Sequence, residues 1–144
     1  MPSLGFELLD LHVVRGRGED VACSDDSGTL TFAQLLERSA ALAGGLRAVG
    51  VSPGDEVAVE VSPGNLQVQV VLACIRLGAV PADRGDVRVV EHADGVTVHG
   101  EEDHDLSLVM SAGRTDPAAS LPSDPPGYAA TVLENWSFLA DFAH

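Results

Sequence analysis

The sequence predicts an α/β fold: a layered, mostly parallel sheet flanked by helices, with a short antiparallel hairpin inserted. Three observations predict it. Two helical stripes that each end at a glycine alternate with short apolar runs. Residues 57–61 are apolar on both faces, as in a covered parallel strand. Asp94-Gly95 lies between alternating β-branched residues, a strong signal for a hairpin.

The first elements are short. Residues 6–14 carry apolar residues at helical spacing, and Gly16 and Gly18 end this helix. A strand is predicted at residues 21–23, and a second strand closes at Leu30 after a turn rich in Asp, Ser and Gly.

Two longer helices and the strands after them form the predicted parallel core. Thr31 and Gln34 have the spacing of a capping box, and the apolar stripe that follows runs to Gly50. A second, almost wholly apolar helix runs over residues 65–77 and ends at Gly78. The strand at 57–61 and another at 79–82 follow these helices, so right-handed crossovers are expected.

Composition predicts one compact domain over residues 1–144. The chain has 144 residues, of which 45% are hydrophobic and 21% charged, which is ordinary globular usage. The net charge of −14 disfavours both nucleic acid and anionic membrane surfaces. Residues 1–10 lack the features of a signal peptide and no long apolar run follows, so a cytoplasmic protein is expected.

A known sequence pattern runs through residues 28–81. GTLTFAQLL, GVSPGDEVA and LGAVP resemble the G-x-L-T-Y-x-E-L, G-V-x-x-G-D-x-V-A and A-G-A-V motifs of the AMP-forming adenylating enzymes. That superfamily includes acyl- and aryl-CoA synthetases, nonribosomal peptide synthetase adenylation domains and luciferases. The resemblance implies an N-terminal subdomain of such an enzyme, with residues 83–104 as a shortened hairpin in place of the family's further strand and helix units.

The resemblance resumes at residues 105–118, DLSLVMSAGRTDPA. This run is similar to the family's strand and phosphate-binding loop, which implies a strand at 106–110 and a relic cofactor-binding loop formed by Ser111, Gly113, Arg114 and Thr115. Asp116 stands where the family has Gly, and Ala118 where it has Lys. A carboxylate beside phosphate repels it by about 4 kcal/mol at 4 Å and an effective dielectric of about 20. We therefore expect weak or absent ATP and AMP binding and no bound cofactor.

Residues 131–144 resemble the strand and helix after that loop, with Asn135 in place of the family's pocket His. The chain contains no lysine, and the family's magnesium, ribose and C-terminal catalytic residues have no counterparts in it. The resemblance thus implies a truncated, degenerate homologue that is not an enzyme and has no catalytic residues.

Three functions follow from different classes. The first is a non-enzymatic interaction or accessory module, expected to form a homodimer or to bind a full-length enzyme of the same pathway. The others are a remnant that binds nucleotide or acyl-adenylate, and one half of a split ligase completed in trans. The aromatic cluster at Trp136, Phe138 and Phe142 either folds back on its own sheet or, with the open sheet edge, forms the interface.

Other candidate sites are weaker. His92 and His99 share a predicted hairpin with acidic neighbours, but without ligand spacing typical of a metal site we predict no metal. Ser107 and Ser111 lie outside any G-x-S-x-G motif, which argues against a nucleophile. Cys23 lies beside Asp25 and Asp26, which raise a thiol pKa, so an unreactive cysteine is expected.

Overall fold

A computed structural model of the chain describes residues 3–142, so the ends of the predicted domain 1–144 (residues 1, 2, 143 and 144) lie outside the described residues. The predicted α/β class is confirmed. A five-stranded sheet has the order β4-β3-β5-β6-β7, in which β3 is parallel to both β4 and β5, whereas β6 is antiparallel to both β5 and β7. The strands are β3 (Glu56–Glu60), β4 (Val80–Ala82), β5 (Val87–His92), β6 (Gly95–His99) and β7 (Asp103–Asp105).

A separate two-stranded antiparallel sheet precedes it. Its strands are β1 (Val21–Asp25) and β2 (Gly28–Thr31). The predicted hairpin is also confirmed: β5 and β6 pair across a tight turn with His92 opposite Gly95. β7 extends this hairpin by one strand that the sequence pattern did not indicate.

The helices that cover the sheet begin and end largely as predicted. A π-helical turn (Phe6–Asp10) continues into α1 (Leu11–Val14). The longer helices are α2 (Phe32–Ala48) and α3 (Asn65–Leu77). The capping box of Thr31 and Gln34 is present, and Gly78 ends α3 in the left-handed conformation with φ 73°.

The core is aliphatic and lies between α2, α3 and the parallel strands. Its fully buried side chains include Leu35, Leu42, Leu46, Val57, Val70, Val71, Leu72, Ile75 and Val89. The near-complete burial of α3 agrees with its almost uniformly apolar sequence.

The predicted strand at residues 106–110 is wrong. These residues begin α4 (Leu106–Thr115), which packs on α2 and reaches β6 and β7. Leu106, Val109, Met110 and Gly113 recur at three and four residues, which is a helical stripe. Periodicity over so short an apolar run is ambiguous, and packing against α2 decides the outcome.

The predicted strand in the tail is wrong as well. The tail forms α5 (Tyr128–Asn135) followed by a 3-10 helix (Ser137–Phe142). Leu139 and Phe142 are buried, and Trp136 and Phe138 are half-buried against the core. Of the two alternatives for the aromatic cluster, the structure shows the one in which it folds back on its own chain.

Candidate functional site

The segment that resembles a phosphate loop is the C-terminal half of α4. Ser111, Arg114 and Thr115 are exposed on this helix, whereas Gly113 is buried. Arg114 Nε lies 3.0 Å from Glu37 Oε1, so the cation of the segment is paired with a carboxylate on α2. Thr115 Oγ1 donates to the carbonyl of Ala112 at 2.7 Å. These residues share one helical turn and do not surround a common space.

Gly113 allows two helices to approach closely. A β-carbon added at Gly113 would lie 1.6 Å from the carbonyl oxygen of Ala41 on α2. On the facing side, a β-carbon at Gly44 would lie 2.2 Å from Asp116 O, and one at Gly45 would lie 2.2 Å from Val109 O. The glycine of the presumed phosphate loop therefore serves helix–helix packing.

The electrostatics of this turn oppose anion binding. Residues 111–115 form the last turn of α4, where backbone carbonyls carry the negative end of the helix dipole. Phosphate sites use the opposite end of a helix, where N–H groups point outward. Asp116 adds an exposed carboxylate directly after the turn, and Arg47 Nη2 lies 3.3 Å from its Oδ2.

Ala118, at the position where the family has Lys, is a core residue. It is 2% exposed, its N–H donates to the carbonyl of Ala40, and its own carbonyl accepts from Arg76 Nε at 3.0 Å. Arg76 is itself 4% exposed and pairs with Asp10 at 2.5 Å. This partly buried pair lines a groove of about 630 Å³ between α2, α3 and the segment after α4. Its apolar lining residues are Leu36, Ala40, Ala41, Pro117, Ala118 and Ala119, and its charged ones are Asp10, Glu37, Arg76 and Arg114, so one of the predicted site residues does line it.

Two other cavities flank the sheet. One of about 640 Å³ lies at the amino ends of β3 and β5 and carries the carboxylates of Asp55, Glu56, Asp86 and Glu101. Another of about 460 Å³ lies between β4 and α5 beneath Trp136, with Asn135 at its wall. Neither contains Ser111, Gly113, Arg114 or Thr115.

The histidines of the hairpin lie close together. The rings of His92 and His99 meet edge to face with centroids 6.1 Å apart, and His99 Nδ1 is 2.9 Å from Asp103 Oδ1. Within residues 3–142, no group of three or more His, Cys, Asp or Glu side chains is placed to hold a metal ion.

Neither cysteine has the environment of a reactive thiol. Burial, with a smaller contribution from Asp25, raises the pKa of Cys23 to about 11. Burial raises the pKa of Cys74 to about 12. Asp25 raises the pKa of Cys23 as predicted, but burial is the larger cause and Asp26 is not one of the causes. Both thiols are protonated at neutral pH.

Sequence reasoning missed the polar contacts that join distant segments. His12 is buried, with Nε2 2.6 Å from the carbonyl of Phe142. In the sequence, Arg76 is a single cation in an otherwise apolar helix. A charged side chain in a buried helix requires a partner of opposite charge, but the sequence does not say which residue this is. The partner, Asp10, lies 66 residues away in the chain.

The comparisons with known proteins agree with this fold. The family model for AMP-binding enzyme matches residues 11–84, just over half of the chain. The acetyl-coenzyme A synthetase of Streptomyces coelicolor is 32% identical over 113 residues, which cover 65% of this chain and 17% of that protein. The mitochondrial acyl-CoA synthetase short-chain family member 3 of Bos taurus is 31% identical over 86 residues, which cover 56% of this chain and 12% of that protein.

Solved structures give the same result. A benzoate CoA ligase from Burkholderia xenovorans superposes with a TM-score of 0.52 at 26% identity, over 56% of this chain and 16% of that one. A fatty acid AMP ligase from Legionella pneumophila superposes with a TM-score of 0.51 at 25% identity, over 63% and 15%.

The chain belongs to the AMP-binding enzyme family. It spans between about one eighth and one sixth of the length of the two synthetases it matches. Within residues 3–142, no helix is both long and apolar enough to cross a membrane.

Proposed function

We propose that this chain is a non-catalytic accessory module of the AMP-binding enzyme family, which acts through contact with another protein. The observation that carries the proposal is the placement of residues 111–115 in the last turn of α4. A phosphate cradle requires backbone N–H groups and space for the ligand. Here Gly113 is packed on α2, and the turn presents carbonyls.

The charges of the segment support the same conclusion. Arg114 is paired with Glu37, and Asp116 follows immediately with a carboxylate. The sequence has no lysine to supply a mobile cation. Transition states of adenylyl transfer develop negative charge, and stabilising it requires preorganised cations and donors.

The partner in this proposal is a second copy of the chain or an intact enzyme of the same family. Three apolar side chains support a protein contact because they are largely exposed: Val14 at 71%, Val21 at 60% and Leu108 at 59%. The C-terminal aromatic cluster leaves less apolar surface for a partner, since it is folded back on the core. We place this action in the cytoplasm, which suits the free thiols of Cys23 and Cys74.

The first test is ATP–pyrophosphate exchange with a panel of carboxylic acids. We expect no exchange above that of the boiled protein. Calorimetry should give an ATP dissociation constant of about 1 mM or weaker, equivalent to about −4 kcal/mol. Exchange above the boiled control, or a dissociation constant near 1 μM (about −8 kcal/mol), would overturn the proposal and favour a nucleotide-binding remnant.

Two matched variants test whether any residual ATP binding involves the end of α4. If the turn after Gly113 held phosphate, Asp116→Asn would tighten ATP binding and Arg114→Gln would weaken it. We expect neither change to alter the ATP affinity, because Arg114 is paired with Glu37 and Asp116 follows the carbonyl end of α4, where no phosphate is expected to bind. Opposite shifts in the two variants would show that the turn does contact phosphate.

A further inference from the structure

The outer edge of β4 has an unusual arrangement of backbone groups. Among residues 3–142, β4 is the terminal strand of the sheet and pairs with β3 alone. The Val80 N–H donates to the carbonyl of Asp55 on the β3 side at 2.7 Å, so Val80 directs its polar groups toward β3. Successive residues of a strand direct their N–H and C=O groups to opposite sides. The neighbours of Val80, which are Ala79 and Pro81, therefore direct their backbone groups away from β3.

Both outward carbonyls are bonded to aromatic side chains. The Tyr128 hydroxyl donates to the carbonyl of Ala79 at 2.5 Å, and the Trp136 indole N–H donates to that of Pro81 at 2.7 Å. The Ala79 N–H is used by the carbonyl of Cys74, and Pro81 has no N–H. From Ala79 to Pro81, every backbone N–H and C=O group that points outward therefore has a hydrogen-bond partner, except at Pro81, which has no N–H.

The two edges of the sheet differ in how they are protected. β7, at the far edge, has three residues, Asp103, His104 and Asp105, whose charged and polar side chains deter pairing with another strand. β4 consists of Val80, Pro81 and Ala82 and carries no charge. Short length and Pro81 protect it in part, but its outward carbonyls would attract the N–H donors of another strand if they were left without a partner.

We propose that Tyr128 and Trp136 cap the outer edge of β4 against the addition of a strand, and that without these two donors an extended segment of a second copy pairs with this edge. Tyr128 is the first residue of α5, and Trp136 directly follows its last residue. α5 therefore holds two donors along the strand, in place of the N–H groups of a neighbouring strand. Tyr128 is buried and Trp136 is half-buried, and both side chains belong to or pack against the hydrophobic core.

The test removes the donors and keeps the rings. In Tyr128→Phe/Trp136→Phe the hydroxyl and the indole N–H are lost, but aromatic bulk remains. Sedimentation velocity over a range of protein concentrations should show self-association at least about tenfold stronger than in the wild-type chain. Circular dichroism establishes that the variant is folded under the same conditions.

Two controls separate edge pairing from general loosening of the tail. Phe138→Leu disturbs the same segment, because Phe138 packs on the rings of Trp136 and Phe142, while both caps stay intact. This variant should associate like the wild type. Adding Ala82→Lys to the double variant should reverse its association, since a charge on the edge blocks pairing and Ala82 lines a cavity with room for the longer side chain.

The outcomes are decisive in either direction. A folded double variant that associates no more than the wild type overturns the proposal. Association that Ala82→Lys leaves unchanged, or that Phe138→Leu reproduces, also overturns it. If the double variant is unfolded, Trp136→Phe alone is judged by the same comparisons, because it removes one donor at a half-buried position.

Discussion

Asp25 stabilises a helix that begins 40 residues later in the chain. Its Oδ2 accepts from the Asn65 N–H at 2.7 Å, at the start of α3, and its Oδ1 accepts from the Ser27 N–H at 2.8 Å. The hydroxyl of Ser27, followed by the N–H groups of Asn65 and Ser27, lowers the pKa of the Asp25 carboxyl. Gly64 is the N-cap residue of α3, and it has no side chain that could accept a hydrogen bond from the first N–H groups of the helix.

We expect Asp25→Ala to lower the melting temperature by several degrees at pH 7. The helix loses its capping oxygen and a charge favoured at its N-terminus. Because the folded-state pKa is lowered, the ionised carboxylate stabilises the fold above the unfolded-state pKa of about 4. That contribution is lost as pH falls through the folded-state value. Thermal unfolding at a series of pH values should thus show the difference shrinking in acid.

Asp26→Ala is the matched control for this prediction, because Asp26 is an exposed neighbour of the same charge. An equal loss of stability in both variants would attribute the effect to net charge. That result would contradict the prediction that Asp25 stabilises α3 by capping its N-terminus.

At the scale of elements, the packing of α2 on α4 depends on missing β-carbons. Gly44 and Gly45 on α2 and Gly113 on α4 bring backbone atoms of the two helices into contact. Such an approach is possible only where both surfaces are small. Adding a single methyl group at one of these glycines would therefore push the two helices apart.

We expect Gly113→Ala to reduce the free energy of unfolding by about 3 kcal/mol, the upper part of the range for overpacking in a core. The added carbon would meet the carbonyl oxygen of Ala41, which belongs to a helix backbone and cannot rotate away. Urea denaturation measures the change. Ser111→Ala, at an exposed position of the same helix, should stay within about 0.5 kcal/mol of the wild type. A neutral Gly113→Ala would show that residues 106–115 do not form this helix.

At the scale of the whole molecule, charge opposes compactness. Twenty-two acidic residues face eight arginines, for a net charge of −14. Most described ion pairs join exposed side chains, as between Arg84 and Glu56, and such pairs contribute little. The remaining carboxylates repel one another and any second copy.

We expect salt to stabilise the protein for this reason. Raising sodium chloride from about 20 mM to about 500 mM shortens the Debye length and screens the repulsion. The melting temperature should rise, and any self-association should tighten. A neutral osmolyte at equal osmolality controls for excluded-volume effects. A melting temperature that falls with salt would mean that local ion pairs outweigh net repulsion.

Local signals predicted the helices and strands in residues 28–99 well. The capping box of Thr31 and Gln34, the end of α3 at Gly78 and the Asp94-Gly95 hairpin each depend on neighbours within a few residues. The phosphate-loop interpretation of residues 111–115 placed Gly113 in a loop, whereas the structure places it in a helix interface. A glycine that permits close packing and a glycine that permits a loop are identical in sequence.

The sequence by itself determined the fold class and the bounds of the central helices, because caps, periodicity and turn residues act over a few positions. The resemblance of its motifs to those of a known family predicted the family, which the family model confirms. Only the tertiary structure decided whether residues 106–115 form a strand or a helix, since the glycines of α2 that receive Gly113 lie about seventy residues away. It also decided which groups satisfy Asp25, Arg76 and the carbonyl of Pro81. Those partners come together only when the chain folds, and the need to satisfy buried polar groups then selects them.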